Sequence, residues 1–272
     1  MKSFQDHPGL FAPSRPKETQ TELTIKNLSL RWGRGFALNK IDLSIKTGEI
    51  FALIGPKGAG KTSLIDCITG TRSLYEGSIL FNDEDITGHE PDYIARLGIS
   101  RSFQESHVFP EMTVLSNLLL ARHSFYRHNI FSAVLFSSRV RQEETRNRGM
   151  VELLIDMFQM QQVRKSPAGE LSYGMTKRLE IVRALAMEPR ILILDDPFTG
   201  MTQGEMDEVK RRLSDLNKLK NITMIIAEDD MSDAVAISDR VAVLDFGVKL
   251  AEGSPDFVEN HPKVIKIYPI KE

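Results

Sequence analysis

Short, continuously apolar runs alternate with longer helical patterns along most of this chain. Ile50 to Ile54 (IFALI) is the clearest, five apolar residues in a row, which marks a strand buried on both faces of a mainly parallel sheet. Ile191 to Leu194, Thr223 to Ala227 and Arg240 to Leu244 repeat the pattern. Helical periodicity separates them, from Lys61 onward, from Met150 to Met160, from Met175 to Met187 and from Gly204 to Leu219. Strands alternating with helices predict an α/β layer fold with right-handed crossovers. Near the start, Leu23 to Leu30 and Ile41 to Ile45 alternate apolar and polar residues, predicting an antiparallel β ribbon that turns near Gly33 to Gly35. After Gly98 to Phe103 no buried-strand run occurs until Ile191, and Leu, Met, Arg and Gln dominate, so a mostly helical insert is expected over about residues 91–169. The expected organisation is a loose tail over 1–21, one α/β domain over 22–254 and a short C-terminal helix and tail over 255–272.

Composition narrows the partners. Lys plus Arg is 35 and Asp plus Glu is 37, a net charge of −2, which gives no reason to expect a nucleic-acid partner. No run reaches the roughly 18–20 apolar residues of a membrane helix. The best attempt, Leu115 to Val140, is broken by Arg122, His123, Arg127 and His128. The N-terminus carries charge and proline and lacks the apolar core of a secretory signal, and one cysteine, Cys67, precludes an internal disulfide. A cytoplasmic address is expected.

The chemistry begins at Gly55-Pro56-Lys57-Gly58-Ala59-Gly60-Lys61-Thr62, which fits G-x-x-x-x-G-K-[ST] between a buried strand and a predicted helix, with Ser63 following. Glycines let successive backbone N–H groups turn around phosphate oxygens, and the helix N-terminus adds partial positive charge. Lys61 is expected on the β- and γ-phosphates and Thr62 on Mg²⁺. Asp195 ends a second buried strand, ILILD, where a carboxylate suits Mg²⁺, and the adjacent Asp196 suits the attacking water. Asn39-Lys40-Ile41-Asp42 spells a guanine-reading string, but it precedes the phosphate loop and lies on a predicted strand, so it is read as coincidence.

Leu171-Ser172-Tyr173-Gly174-Met175, followed by KRLEIVRALAMEPRILILDDP, resembles the nucleotide-binding subunits of ABC transporters. The resemblance covers about Leu23 to Tyr268. It implies a P-loop NTPase fold of the ABC ATPase type, with a mainly parallel sheet core, an antiparallel β ribbon and a helical subdomain. It implies ATP and Mg²⁺ as ligands. It places Trp32 as the aromatic that stacks on adenine, Gln104 at the metal and γ-phosphate region facing the membrane subunits, and Pro197 to Thr202 as the loop crossing a dimer interface. Ala227 to Met231 matches the switch segment, and Ser172 and Gly174 match signature residues that complete the ATP site of a partner subunit. LSYG, the insert around HNIFSAVLFSSRVRQEETRNR, the AEDDM segment and the C-terminal VAVLDFGVKLAEGSPDFVENHPKVIKIY are most similar to the branched-chain amino acid importers' ATP-binding subunits.

Five positions depart from the family pattern. Lys57 stands for Asn, Asp196 for the Glu that positions or deprotonates water, Asp229 for the switch His, Thr202 for Asn or Asp, and Met175 for Gln. No histidine lies between His128 and His261, so the switch His has not slipped along the chain. Asp196 is one methylene shorter than Glu, and a misplacement of about 1 Å can lower a rate about 10²-fold. Asp229 puts negative charge where the γ-phosphate would lie, although Glu228-Asp229-Asp230 in isolation reads as a solvated cap. Poor hydrolysis at an otherwise intact Mg-ATP site is therefore expected.

The resemblance implies an energy-coupling subunit at the cytoplasmic face of the membrane. It would pair with a second ABC ATPase subunit, in a heterodimer or a homodimer, dock on two permease subunits and serve a solute-binding protein indirectly. A soluble ABC-type ATPase and a non-catalytic regulatory subunit remain the alternatives. The five methionines Met150, Met157, Met160, Met175 and Met187 are expected as core or interface fillers, Cys67 as a small buried residue, and Arg139 to Arg148 as an exposed helix face.

Overall fold

The computed structural model describes residues 21–33, 35–102, 107–123 and 138–268. The expected N-terminal tail, Gln104, most of the segment around HNIFSAVLFSSR and the last four residues lie outside them. The chain divides into two compact units, an α/β unit and a helical unit, with boundaries near residues 104, 189, 197 and 212.

The α/β unit holds two sheets. Strands β1 (Thr21–Trp32), β2 (Gly35–Lys46), β4 (Glu76–Phe81) and β5 (Glu84–Asp85) form an antiparallel sheet in the order β2-β1-β4-β5. The expected ribbon is its β1–β2 pair. Burial alternates along β2, while in β1 the register shifts between Ile25 and Leu28, where Asn27 takes a left-handed φ of 48° and its N–H donates to Asp42 Oδ1 at 2.8 Å. That bulge keeps both Ile25 and Leu28 on the buried face.

The second sheet has the order β10-β9-β3-β8-β7-β6, from β3 (Ile50–Ile54), β6 (Ile99–Ser102), β7 (Ile191–Asp195), β8 (Thr223–Glu228), β9 (Arg240–Asp245) and β10 (Val248–Gly253). All pairings are parallel except β9 with β10. Every residue of β3, β7 and β8 is buried, the apolar runs IFALI, ILIL and MIIA as a sheet covered on both faces requires and the polar ends Asp195, Thr223 and Glu228 with them. The unit also contains helices α1 (Lys61–Ile68) and α2 (Pro91–Leu97).

The helical unit contains α3 (Val114–Ala121), α4 (Ser138–Met157), α5 (Tyr173–Leu185) and the first half of α6 (Gln203–Lys220). Helix α4 joins the expected Arg139–Arg148 helix face and the expected Met150 helix into one element, with Arg141, Gln142, Glu144, Thr145 and Arg146 exposed. Arg122 is fully buried in this unit and donates to Asn147 Oδ1 (2.8 Å), the Ala186 carbonyl (2.7 Å) and Glu188 Oε1 (2.7 Å), which ties α3, α4 and the end of α5 together. Met150, Met157 and Met160 are buried fillers here, and Cys67 is buried on α1. Short helices α7 (Met231–Val235), α8 (Pro255–Glu259) and α9 (Pro262–Ile265) complete the α/β unit. Among the described residues no helix is long and apolar enough to cross a membrane.

Candidate nucleotide site

The loop from Gly55 to Gly60 joins the buried end of β3 to the first turn of α1. Gly60 sits at φ 107°, and a Cβ there would lie 2.8 Å from Leu38 Cδ2 and 2.9 Å from the Ala37 carbonyl, so only glycine fits. At Gly55 a Cβ would meet the Leu244 carbonyl at 2.4 Å. Helix α1 opens with no side-chain cap and no acidic residue in its first turn, so no side chain of that turn offsets its partial positive charge. Lys57, Gly58, Gly60, Lys61, Thr62 and Ser63 line a cleft of about 270 Å³ together with Ala37, Asp195, Asp196 and Asp229. Pro56 and Ala59 belong to the same loop, closed by the Ala59 N–H donating to the Pro56 carbonyl at 3.0 Å.

Lys61 is 9% exposed, and its ammonium donates to the carbonyls of Gly55 (2.6 Å) and Pro56 (3.2 Å) and to Asp229 Oδ1 (2.7 Å). An ammonium has three N–H donors. All three are engaged within the chain. The solvated-cap reading of Glu228-Asp229-Asp230 therefore holds for Asp230 but not for Asp229. Glu228 ends buried strand β8, Asp230 caps α7 by accepting from the Ser232 N–H at 2.9 Å, and Asp229 between them is turned onto the phosphate-loop lysine. Tyr268, near the C-terminus, donates its hydroxyl to the Asp229 carbonyl at 2.8 Å. Burial and the neighbouring charges of Asp229, Asp230 and Asp245 push the Tyr268 phenol well above its usual pKa, so it stays a donor.

Asp195 closes β7, 3% exposed, with Oδ1 accepting from Thr62 Oγ1 at 3.4 Å and Oδ2 accepting from Arg101 at 2.7 Å. Burial raises its pKa, while the Arg101 hydrogen bond and charge oppose that rise. Arg101 reaches Asp66 Oδ1 with its other terminal nitrogen at 2.6 Å. Sequence reasoning missed Arg101 and Asp66; the visible signal was an arginine on a strand end just before the Gln104 segment. Asp196 follows in a left-handed conformation, φ 54°, a region that Asp tolerates better than most side chains, and its N–H donates to the Ala227 carbonyl at 2.9 Å. Asp66 also has Arg72 Nε at 3.6 Å, and the Arg72 guanidinium lies 4.5 Å from the centre of the Trp32 ring. Trp32 is 64% exposed and does not line the cleft.

Ser172 and Gly174 belong to the helical unit. Ser172 caps α5 by accepting from the Met175 N–H at 3.3 Å, and Gly174 is buried with room for a Cβ only 3.2 Å from Glu205 Oε2. Thr202, in the same unit, is bound through its N–H and hydroxyl to Glu205 Oε2, both at 2.8 Å. Gln104 lies outside the described residues.

A glycine loop between a buried strand and a helix, a lysine and a threonine at the helix start, and a buried aspartate at the end of a neighbouring strand define a P-loop nucleotide-binding cassette. The chain belongs to the ABC transporter family, whose model matches residues 38–199. It is 35% identical over 250 residues to the high-affinity branched-chain amino acid transport ATP-binding protein LivG of Escherichia coli K12, covering 92% of this chain and 98% of LivG. It is 34% identical to BraF, the corresponding protein of Pseudomonas aeruginosa, over 90% of this chain and 96% of BraF. Among solved structures it is similar to the ADP conformation of MJ1267, an ATP-binding cassette of an ABC transporter, with a TM-score of 0.79 and 30% identity over 93% of this chain and all of MJ1267.

Proposed function

We propose that this chain is the ATP-binding, energy-coupling subunit of a multisubunit importer for branched-chain amino acids or a related small polar solute, and that its own site holds Mg-ATP but hydrolyses it poorly. The solute assignment rests on the LivG and BraF likeness, which spans nearly the whole of each chain.

The cleft suits the ligand. Its hydroxyl and carboxylate donors, Thr62 and Asp195, are the hard oxygens that Mg²⁺ prefers, and Gln104 is assigned to the same ion by the family pattern. Lys57, Lys61 and the start of α1 suit a polyphosphate. Bound Mg²⁺ would neutralise charge on the phosphate oxygens. At about 270 Å³ the cleft lies near the lower end of small-molecule sites, enough for the phosphates, with the base on exposed Trp32 outside it.

The Lys61–Asp229 pair carries the claim of poor hydrolysis. A γ-phosphate reaching Lys61 must displace a carboxylate, whereas an imidazole at the same place would attract the phosphate. Asp196, in the place of the water-orienting Glu, compounds the defect. Ser172 and Gly174 are retained, so the chain completes a productive site on a second ABC ATPase subunit, in a heterodimer in preference to a homodimer. Two permease subunits hold the pair at the cytoplasmic face of the membrane, and a solute-binding protein delivers the solute.

The test is ATP turnover of the reconstituted complex with the partner's own site inactivated. Changing Asp196→Glu together with Asp229→His should raise turnover by roughly 10²-fold, the lower end of what a positioned base supplies. Unchanged turnover would refute the degenerate-site reading.

A further inference from the structure

Thr62, Asp195, Arg101 and Asp66 close a ring around the metal side of the cleft. Thr62 and Asp66 are four residues apart on α1 and so share one face of the helix. Asp195 Oδ1 accepts from Thr62 at 3.4 Å, its Oδ2 from Arg101 at 2.7 Å, and the second terminal nitrogen of Arg101 returns to Asp66 at 2.6 Å. The sheet register explains why Arg101 fits. On edge strand β6 it pairs with Ile193 of β7, so its side chain lies on the same face as Asp195, two residues further along β7, within reach of a long side chain. Arg101 and Asp195 are 6% and 3% exposed, and Asp66 is 19% exposed.

We propose that Arg101 is a positioning residue for the metal carboxylate: anchored by Asp66, its planar guanidinium holds Asp195 Oδ2 and thereby turns Oδ1 toward the Thr62 hydroxyl, presetting the two oxygens that receive the divalent cation. The inference rests on reading the cleft as a Mg-nucleotide site. Two features of the ring distinguish positioning from simple pairing. The Arg101 charge is shared with a second carboxylate, so it orients Asp195 without acting as its full counter-ion. The fork of the guanidinium also spans both carboxylates at once, which a lysine ammonium, a point donor on a flexible stem, does not do. Groups that orient a metal ligand from behind typically contribute roughly 10–100-fold to metal affinity.

The experiment measures the affinity of the full-length chain for a fluorescent ATP analogue in EDTA and again in Mg²⁺, with Mn²⁺ binding followed by electron paramagnetic resonance. The Mg²⁺-induced gain in nucleotide affinity should fall roughly 10–100-fold in Arg101→Met, with metal-free affinity kept within about 2-fold, because the phosphate loop is untouched. Arg101→Lys should not restore the gain. Asp66→Asn removes only the anchor, should lower the gain in the same direction by less, and keeps the test available if Arg101→Met does not fold. The proposal is overturned if Asp66→Asn and any folded Arg101 variant keep the full Mg²⁺ gain, or if metal-free affinity falls in parallel with it. A wild-type chain without any Mg²⁺ gain would instead refute the reading of the cleft.

Discussion

The Nζ of Lys61 lies 2.7 Å from Oδ1 of Asp229, so the lysine that should meet a nucleotide's terminal phosphates already holds an anion from its own chain. The pair is built in from both sides. The Gly55 and Pro56 carbonyls fix the ammonium, while the Tyr268 hydroxyl and the α7 cap fix the backbone around Asp229. Asp229 is thus an internal competitor for any anion that would take up Lys61.

Removing that competitor should tighten ATP binding. Asp229→Asn is expected to lower the Kd for ATP on the order of 10-fold, equivalent to about 1.4 kcal/mol, with a smaller effect on ADP, which lacks the γ-phosphate. Titration with fluorescent nucleotides checks this, and equal gains for ATP and ADP would place the competition elsewhere.

Trp32 is the chain's single tryptophan and is mostly exposed, so its emission would report a base stacked on it as proposed. ATP should quench it and inorganic triphosphate should not. Trp32→Ala should weaken ATP binding by about 1–3 kcal/mol, the usual worth of a base stacked on an aromatic ring.

Cys67 is buried on α1, and burial pushes its thiol up to about 12. At pH 8 the folded chain should therefore resist alkylation, and urea should expose one reactive thiol per chain. The sign for stability follows: the thiol's contribution is complete below its unfolded pKa and is lost as pH rises through that value toward the folded one.

Arg122→Met should destabilise the helical unit by about 3–5 kcal/mol, because it removes the buried guanidinium that bonds Asn147 Oδ1, the Ala186 carbonyl and the largely buried Glu188 carboxylate at once. Chemical denaturation should show a lower midpoint for that unit. A loss under about 1 kcal/mol would mean that the knot is energetically idle.

The framework of the site was legible because its signals are local. IFALI, the glycine loop and ILILD each carry their own periodicity or spacing, and each occupies the expected strand or turn. What escaped was tertiary. The family pattern already put Asp229 near the γ-phosphate, but its pairing with Lys61 was not foreseen, because that needs β8 to meet the phosphate loop across parallel strands. Arg101 and Asp66 are 35 residues apart, and their meeting depends on the β6–β7 register, which no local pattern encodes. Likewise β4 and β5 were not foreseen, since EGSILF is too short and mixed to declare its partner.

On the function proposed above, this site holds ATP better than it splits it. The most direct measurement is a quenched-flow experiment on the reconstituted complex with the partner's site inactivated, recording bound nucleotide and cleaved nucleotide in the same sample. The prediction is close to one Mg-ATP retained per site of this chain, with cleavage roughly 10²–10⁴-fold slower than at the partner's intact site. Cleavage within a few fold of the intact site would contradict it.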